Sequence, residues 1–125
     1  ATKEIPGGRK YVSLDGGMSD NIRPALYDSK YEAMVANNLN SKTKEKVSLA
    51  GKFCESGDIL VKDIDLPIIK PDDLIAIPVS GAYCLSMSSN YNASLGPAVV
   101  MVNNNEARLI QRRETYDDLT KRDES

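Results

Sequence analysis

Hydrophobic positions along this chain alternate with polar ones in short runs, and long helical periodicities are lacking. Residues 10–14 (Lys-Tyr-Val-Ser-Leu) alternate and are rich in β-prone side chains, which predicts a strand. Asp15-Gly16-Gly17 ends it, because two glycines admit backbone angles that other residues resist. Residues 31–36 predict a second strand, 47–50 a short one, and 59–61 a further strand or extended arm. Residues 37–46 are polar, lysine-rich and without periodicity, so an exposed loop is expected there. Pro67 and Pro71 bracket a bend, and residues 74–79 read as a buried strand whose end Pro78 pushes towards an edge or bulge. The clearest hairpin joins 98–102 to 107–112 through Asn103-Asn104-Asn105, since asparagine tolerates left-handed turn geometry.

Three stretches read as short helices. Asp20 or Asn21 can cap one with Pro24 in its first turn, and on it Arg23 and Tyr27, four apart, share a face. Tyr83, Met87 and Tyr91 follow at helical spacing, which predicts a helix within 84–92. Core packing is the simpler reading of that stripe, above all for Met87. Thr115 and Asp118 form a capping box that starts a terminal helix, with 121–125 expected to fray. Short strands between turns, with two or three short helices, predict a mainly β domain over residues 1–125. A small Greek-key barrel or sandwich is its expected closure.

Composition narrows the chemistry. The net charge of -2 is spread along the chain with no basic face, so nucleic acid is not an expected partner. No apolar run is long enough to span a membrane and no secretory signal is visible, so a cytoplasmic location is expected. Cys54 and Cys84 are then expected to be free thiols. The absence of histidine removes Ser-His and Cys-His pairs and the commonest zinc ligand, and no metal site is expected. The opening Ala-Thr-Lys-Glu, without a methionine, reads as the start of a fragment or a processed piece.

Candidate chemistry centres on residues 51–58, Gly-Lys-Phe-Cys-Glu-Ser-Gly-Asp. A thiol, Cys54, and a carboxylate, Glu55, stand side by side, followed by the turn formers Ser56, Gly57 and Asp58. A bend of this kind displays adjacent side chains at a surface or cleft. Taken alone, a strand-ending turn with a core cysteine explains it as well or better.

Three segments together change that balance. Residues 15–27, from Asp15-Gly16-Gly17 through Arg23-Pro24-Ala25-Leu26-Tyr27, residues 54–58, and Gly81-Ala82-Tyr83-Cys84 have an order and spacing that resemble the C-terminal domain of the diaminopimelate decarboxylase family. Arg112-Arg113-Glu114-Thr115 with the following Asp-Asp-Leu fits the same family, and the resemblance covers nearly the whole chain. It implies a fold-type III enzyme in which a (β/α)8 barrel binds pyridoxal 5'-phosphate and a C-terminal β domain completes active sites shared between the subunits of a homodimer. The implied reaction is decarboxylation of meso-diaminopimelate, a small-molecule substrate, to L-lysine. By carry-over Arg23, Tyr27, Glu55 and Tyr83 are substrate-binding positions, Tyr83 also faces the cofactor, and Cys54 is the catalytic candidate.

The residue chemistry is compatible with these roles. The distal head of diaminopimelate carries a carboxylate and an ammonium; Arg23 offers a planar fork for the first and Glu55 an anion for the second. A thiol near a cationic cofactor can return a proton after CO2 is lost, because its pKa responds strongly to such surroundings. Phe53 stands where many members carry His, and Leu85 where many carry Tyr. None of the ten lysines sits in a motif for the Schiff base, so the chain by itself is expected to be inactive. It is also expected to expose an unpaired strand edge and an apolar face that favour self-association. Two other readings stay open: a decarboxylase of the same class acting on another basic amino acid such as ornithine, and a stand-alone β-barrel binding module.

Overall fold

The structure, a computed structural model, describes residues 1–124. Ser125, the last residue of the expected frayed end, lies outside the described residues. Among the described residues, eight strands, three short helices and one 3-10 turn follow one another: β1 (Thr2–Glu4), β2 (Lys10–Ser13), α1 (Arg23–Tyr27), β3 (Met34–Val35), β4 (Lys44–Ala50), β5 (Ile59–Pro67), β6 (Ile75–Ala76), α2 (Gly81–Met87), the 3-10 turn (Tyr91–Ala93), β7 (Val99–Asn103), β8 (Glu106–Gln111) and α3 (Tyr116–Thr120). The mainly β class and the short helices are as expected from the pattern. The strands form a four-stranded sheet in the order β1-β2-β4-β5 and two separate pairs, β3-β6 and β7-β8. No closed Greek-key barrel is present among the described residues, and one pairing, β2 with β4, is parallel. A parallel pair needs a long crossover, and residues 14–43 supply it, carrying α1 and β3.

The core lies on this sheet. Val12, Val35, Val47, Leu49, Leu60, Val61 and Leu66 are buried together, with Leu14, Tyr31, Ile69, Ile75 and Ile77 packed against them. Each buried aliphatic side chain contributes about 1.5–3 kcal/mol relative to exposure. β4 and β5 are joined through a register shift at Ser48, where the buried hydroxyl of Ser48 accepts the N–H of Asp63 at 3.1 Å. Asp63 there is left-handed, with φ 51°. The bulge twists the ladder just before the bend that follows β4.

Several element bounds differ from expectation for physical reasons. β4 begins at Lys44, inside the expected loop, because its charges find partners across the sheet: Lys10 pairs with Glu45, and Lys46 with Asp65 at 3.8 Å. β5 runs to Pro67, well past the expected residue 61. The strands expected over 31–36 and 74–79 shrink to β3 and β6, two residues each. Leu74 and Val79 are exposed, and Val79 is left-handed with φ 56°, a conformation that ends a strand. The expected hairpin is present as β7-β8, turning through Asn104 and Asn105 at φ 49° and 62°. The expected capping box is also formed: Thr115 N–H donates to Asp118 at 2.8 Å.

Candidate functional site

Asp58 organises the bend after β4. It is fully buried, and its carboxylate accepts the N–H of Met18 at 2.6 Å and of Phe53 at 2.8 Å. The N–H of Gly51 donates to the Asp58 carbonyl at 2.8 Å, and Asp58 N–H donates to the Glu55 carbonyl at 3.0 Å. Residues 51–58 therefore form the expected bend, tied through Met18 to the loop that leads into α1. The local pattern marks Asp58 only as a turn former; the two glycines around it, Gly17 and Gly51, are the signal that a side chain occupies the space between them.

α1 is set by the same loop. Pro24 lies in its first turn as expected, but the capping residue is Ile22, which supplies no side-chain bond. Asn21 contributes differently, its Oδ1 accepting the N–H of Arg23 at 3.2 Å, while Asp20 accepts the N–H of Gly17 at 2.9 Å. A Cβ placed on Gly57 would sit 3.6 Å from the Ala25 side chain, so the bend packs on α1.

This arrangement brings Arg23, Tyr27 and Tyr83 together. The guanidinium of Arg23 lies 5.3 Å from the centre of the Tyr27 ring and 4.7 Å from that of Tyr83, with Nη1 3.9 Å from Met87 Sδ. Met87 thus serves the cluster and not the core. Both tyrosines are exposed, so the cluster lies at the surface. A guanidinium between two aromatic faces keeps its in-plane N–H groups free for a planar anion.

Glu55 and Cys54 lie on the exposed bend. Glu55 Oε1 accepts the hydroxyl of Tyr91 at 2.5 Å, and Tyr91 stands edge-on to Phe53 with ring centres 5.3 Å apart. That bond to Glu55, with burial second, raises the Tyr91 hydroxyl above the usual phenol range. Tyr91 is not on α2: Ser88 is extended and breaks the expected helical stripe, so Tyr91 turns onto the bend. Cys54 is free and exposed, at a groove of about 540 Å³ lined by Phe53, Asn92, Leu95, Arg113 and Tyr116. Cys84 is free and buried in α2, its Sγ 3.9 Å from the Tyr31 hydroxyl. The structure therefore gathers Arg23, Tyr27 and Tyr83 in one group and Cys54 and Glu55 in a second, joined through Gly57 and α1.

Residues 1–81 match the family model described as pyridoxal-dependent decarboxylase, C-terminal sheet domain. The chain belongs to this family. Among curated relatives, diaminopimelate decarboxylase of Bacillus subtilis is 57% identical over 121 residues, which is 97% of this chain and 28% of the relative. That of Synechocystis is 52% identical over 121 residues, covering 97% of this chain and 26% of the relative. The crystal structure of diaminopimelate decarboxylase from M. jannaschii in complex with L-lysine superposes with a TM-score of 0.91 at 38% identity, covering 100% of this chain and 28% of that one. The chain thus spans little more than a quarter of the relatives it matches.

As a member of the pyridoxal-dependent decarboxylase family, the chain is associated with a pyridoxal cofactor. The Arg23 cluster does not suffice to hold one. That group requires a lysine for its imine and a cradle of donors for its phosphate, whereas the Arg23 cluster consists of a guanidinium, two phenols and a thioether.

Proposed function

We propose that this chain is the C-terminal substrate-binding and dimerisation domain, a single unit over residues 1–125, of a pyridoxal 5'-phosphate-dependent diaminopimelate decarboxylase. The reaction is conversion of meso-2,6-diaminopimelate to L-lysine and CO2. The observation that carries the proposal is the guanidinium of Arg23 held between Tyr27 and Tyr83, with the bend bearing Cys54 and Glu55 packed on the same helix. High identity to relatives of that name over nearly all of the chain supports it.

The division of labour follows from charge. Arg23 binds the distal carboxylate through paired N–H donors, and Tyr27 adds a hydroxyl. Glu55 binds the distal ammonium. Tyr83 lines the same space and would face the cofactor, whose lysine and phosphate cradle would come from a part of the enzyme other than these residues. Held there, pyridoxal phosphate would supply the electron sink for loss of CO2. The exposed Sγ–H of Cys54 is the proton donor this domain brings to the shared site.

The enzyme is a homodimer with active sites shared between subunits, working in the cytoplasm. The sheet closes into a Greek-key barrel only with a strand from elsewhere in the full protein. That reading is supported by a cavity of about 770 Å³ against the sheet, lined by Val12, Leu14, Leu60 and Ile75. Replacing Arg23 with Ala in the full-length enzyme tests the substrate assignment. KM for diaminopimelate should rise selectively, and an unchanged KM would count decisively against it.

A further inference from the structure

We propose that Tyr91 is a positioning residue that fixes the Glu55 carboxylate for a substrate ammonium, and that Glu114 holds the loop from which Tyr91 acts. The inference rests on the reading of Glu55 as an ammonium-binding residue. An exposed carboxylate on a bend samples several rotamers, and a ligand that needs one of them meets an entropic cost. The Tyr91 hydroxyl removes that freedom: it donates to Oε1 at 2.5 Å and leaves Oε2 for a cation.

Tyr91 is itself fixed from two sides. Its ring stands at 84° to that of Phe53, so the aromatic contact sets the direction of the hydroxyl. Its backbone belongs to a loop in which Asn92 and Ala93 are both left-handed, at φ 52° and 56°. Such a conformation is costly for alanine and persists where surrounding contacts over-determine it. Glu114 supplies those contacts. Its Oε2 accepts the side-chain N–H of Asn90 and the backbone N–H of Gly96, each at 2.6 Å, while Glu114 N–H donates to the Gly96 carbonyl at 3.1 Å. Both ends of the loop are thereby pinned to the segment between β8 and α3, and Tyr91 is held over the bend.

Steady-state kinetics on the full-length enzyme with meso-diaminopimelate test this. Tyr91→Phe keeps the ring against Phe53 and removes only the O–H, so KM should rise about tenfold, the loss expected for a hydrogen bond to a charged group, with a smaller effect on kcat. Glu114→Gln should raise KM less, and should add nothing in the Tyr91→Phe background because it acts through Tyr91. An ultraviolet titration supplies a second reading: the Tyr91 hydroxyl should ionise above the usual phenol range, and Glu55→Gln should lower it. A normal KM for Tyr91→Phe beside a raised KM for Glu55→Gln overturns the role of Tyr91. A normal KM for Glu55→Gln overturns the assignment of Glu55 itself. Additive effects of Tyr91→Phe and Glu114→Gln overturn the role of Glu114.

Discussion

A methyl group on Gly51 would lie 2.2 Å from both carboxylate oxygens of Asp58. No Cβ approaches backbone or side-chain oxygen so closely, so the bend can form only with glycine at 51 or a smaller group at 58. The restriction is steric, because the backbone of Gly51 is not in the left-handed region. Gly51→Ala should therefore destabilise the protein by about 1–3 kcal/mol, the usual cost of overpacking. Gly51→Ala with Asp58→Ala should cost less than the sum of the two, because the second change relieves the clash. Denaturant midpoints of the four proteins measure this coupling.

Arg23 and its two aromatic neighbours lead to a second expectation. Lysine at this position keeps the charge but loses the planar fork and the stacked guanidinium. Each contact with an exposed ring contributes about 0.5–1 kcal/mol. Arg23→Lys in the full-length enzyme should thus resemble Arg23→Ala in its KM for diaminopimelate. Recovery to the native KM would mean that charge alone suffices.

Acid should act on α3 late. Arg112 first, then the N–H and hydroxyl of Thr115, hold the Asp118 carboxyl well below the usual carboxylate range. A group whose folded pKa is depressed stabilises the fold above its unfolded value of about 3.9 and loses that contribution as pH falls through the folded one. Carboxyl-carbon NMR should show Asp118 titrating well below the usual carboxylate range. Arg112→Ala should move its midpoint upwards.

The isolated chain should self-associate. β1 and β5 end the main sheet with unpaired edges among the described residues, and Val102 and Leu109 are exposed on the β7-β8 pair. Open edges and apolar patches template contact with a second copy. Sedimentation should show mass rising with concentration, together with fast amide exchange on β1; a clean monomer at high concentration would contradict this.

What was legible in the sequence was local. The β7-β8 turn depends on two adjacent asparagines, and the α3 cap on two residues three apart, so each carries its own signal. Arg23 and Tyr27 were likewise placed by one turn of helix. The errors arose where distant partners decide. Lys44, Glu45 and Lys46 are strand because Lys10 and residues of β5 face them, which no local pattern records. Tyr91 left the expected helix because Ser88 is extended, and Asp58 is buried because two backbone N–H groups, one of them 40 positions away, replace its water. The resemblance singled out Arg23, Tyr27, Cys54, Glu55 and Tyr83, whereas the groups that hold them in place, Asp58 and Tyr91 among them, emerged only with the third dimension.

The parallel pairing of β2 with β4 has a consequence for how the molecule comes to be folded. α1, with Arg23, lies inside the crossover that this pairing closes. Closing a loop of that length is entropically costly, and contacts distant in sequence form slowly. A chain emerging in order from its N-terminus can complete β2 and the turn of α1 at once, yet Arg23 has no settled address until β4 arrives. The bend carrying Cys54 and Glu55 leaves β4 directly, so one docking event brings that bend and α1 together. A lesion that slows that event should lower the yield of competent protein without changing the properties of the molecules that succeed.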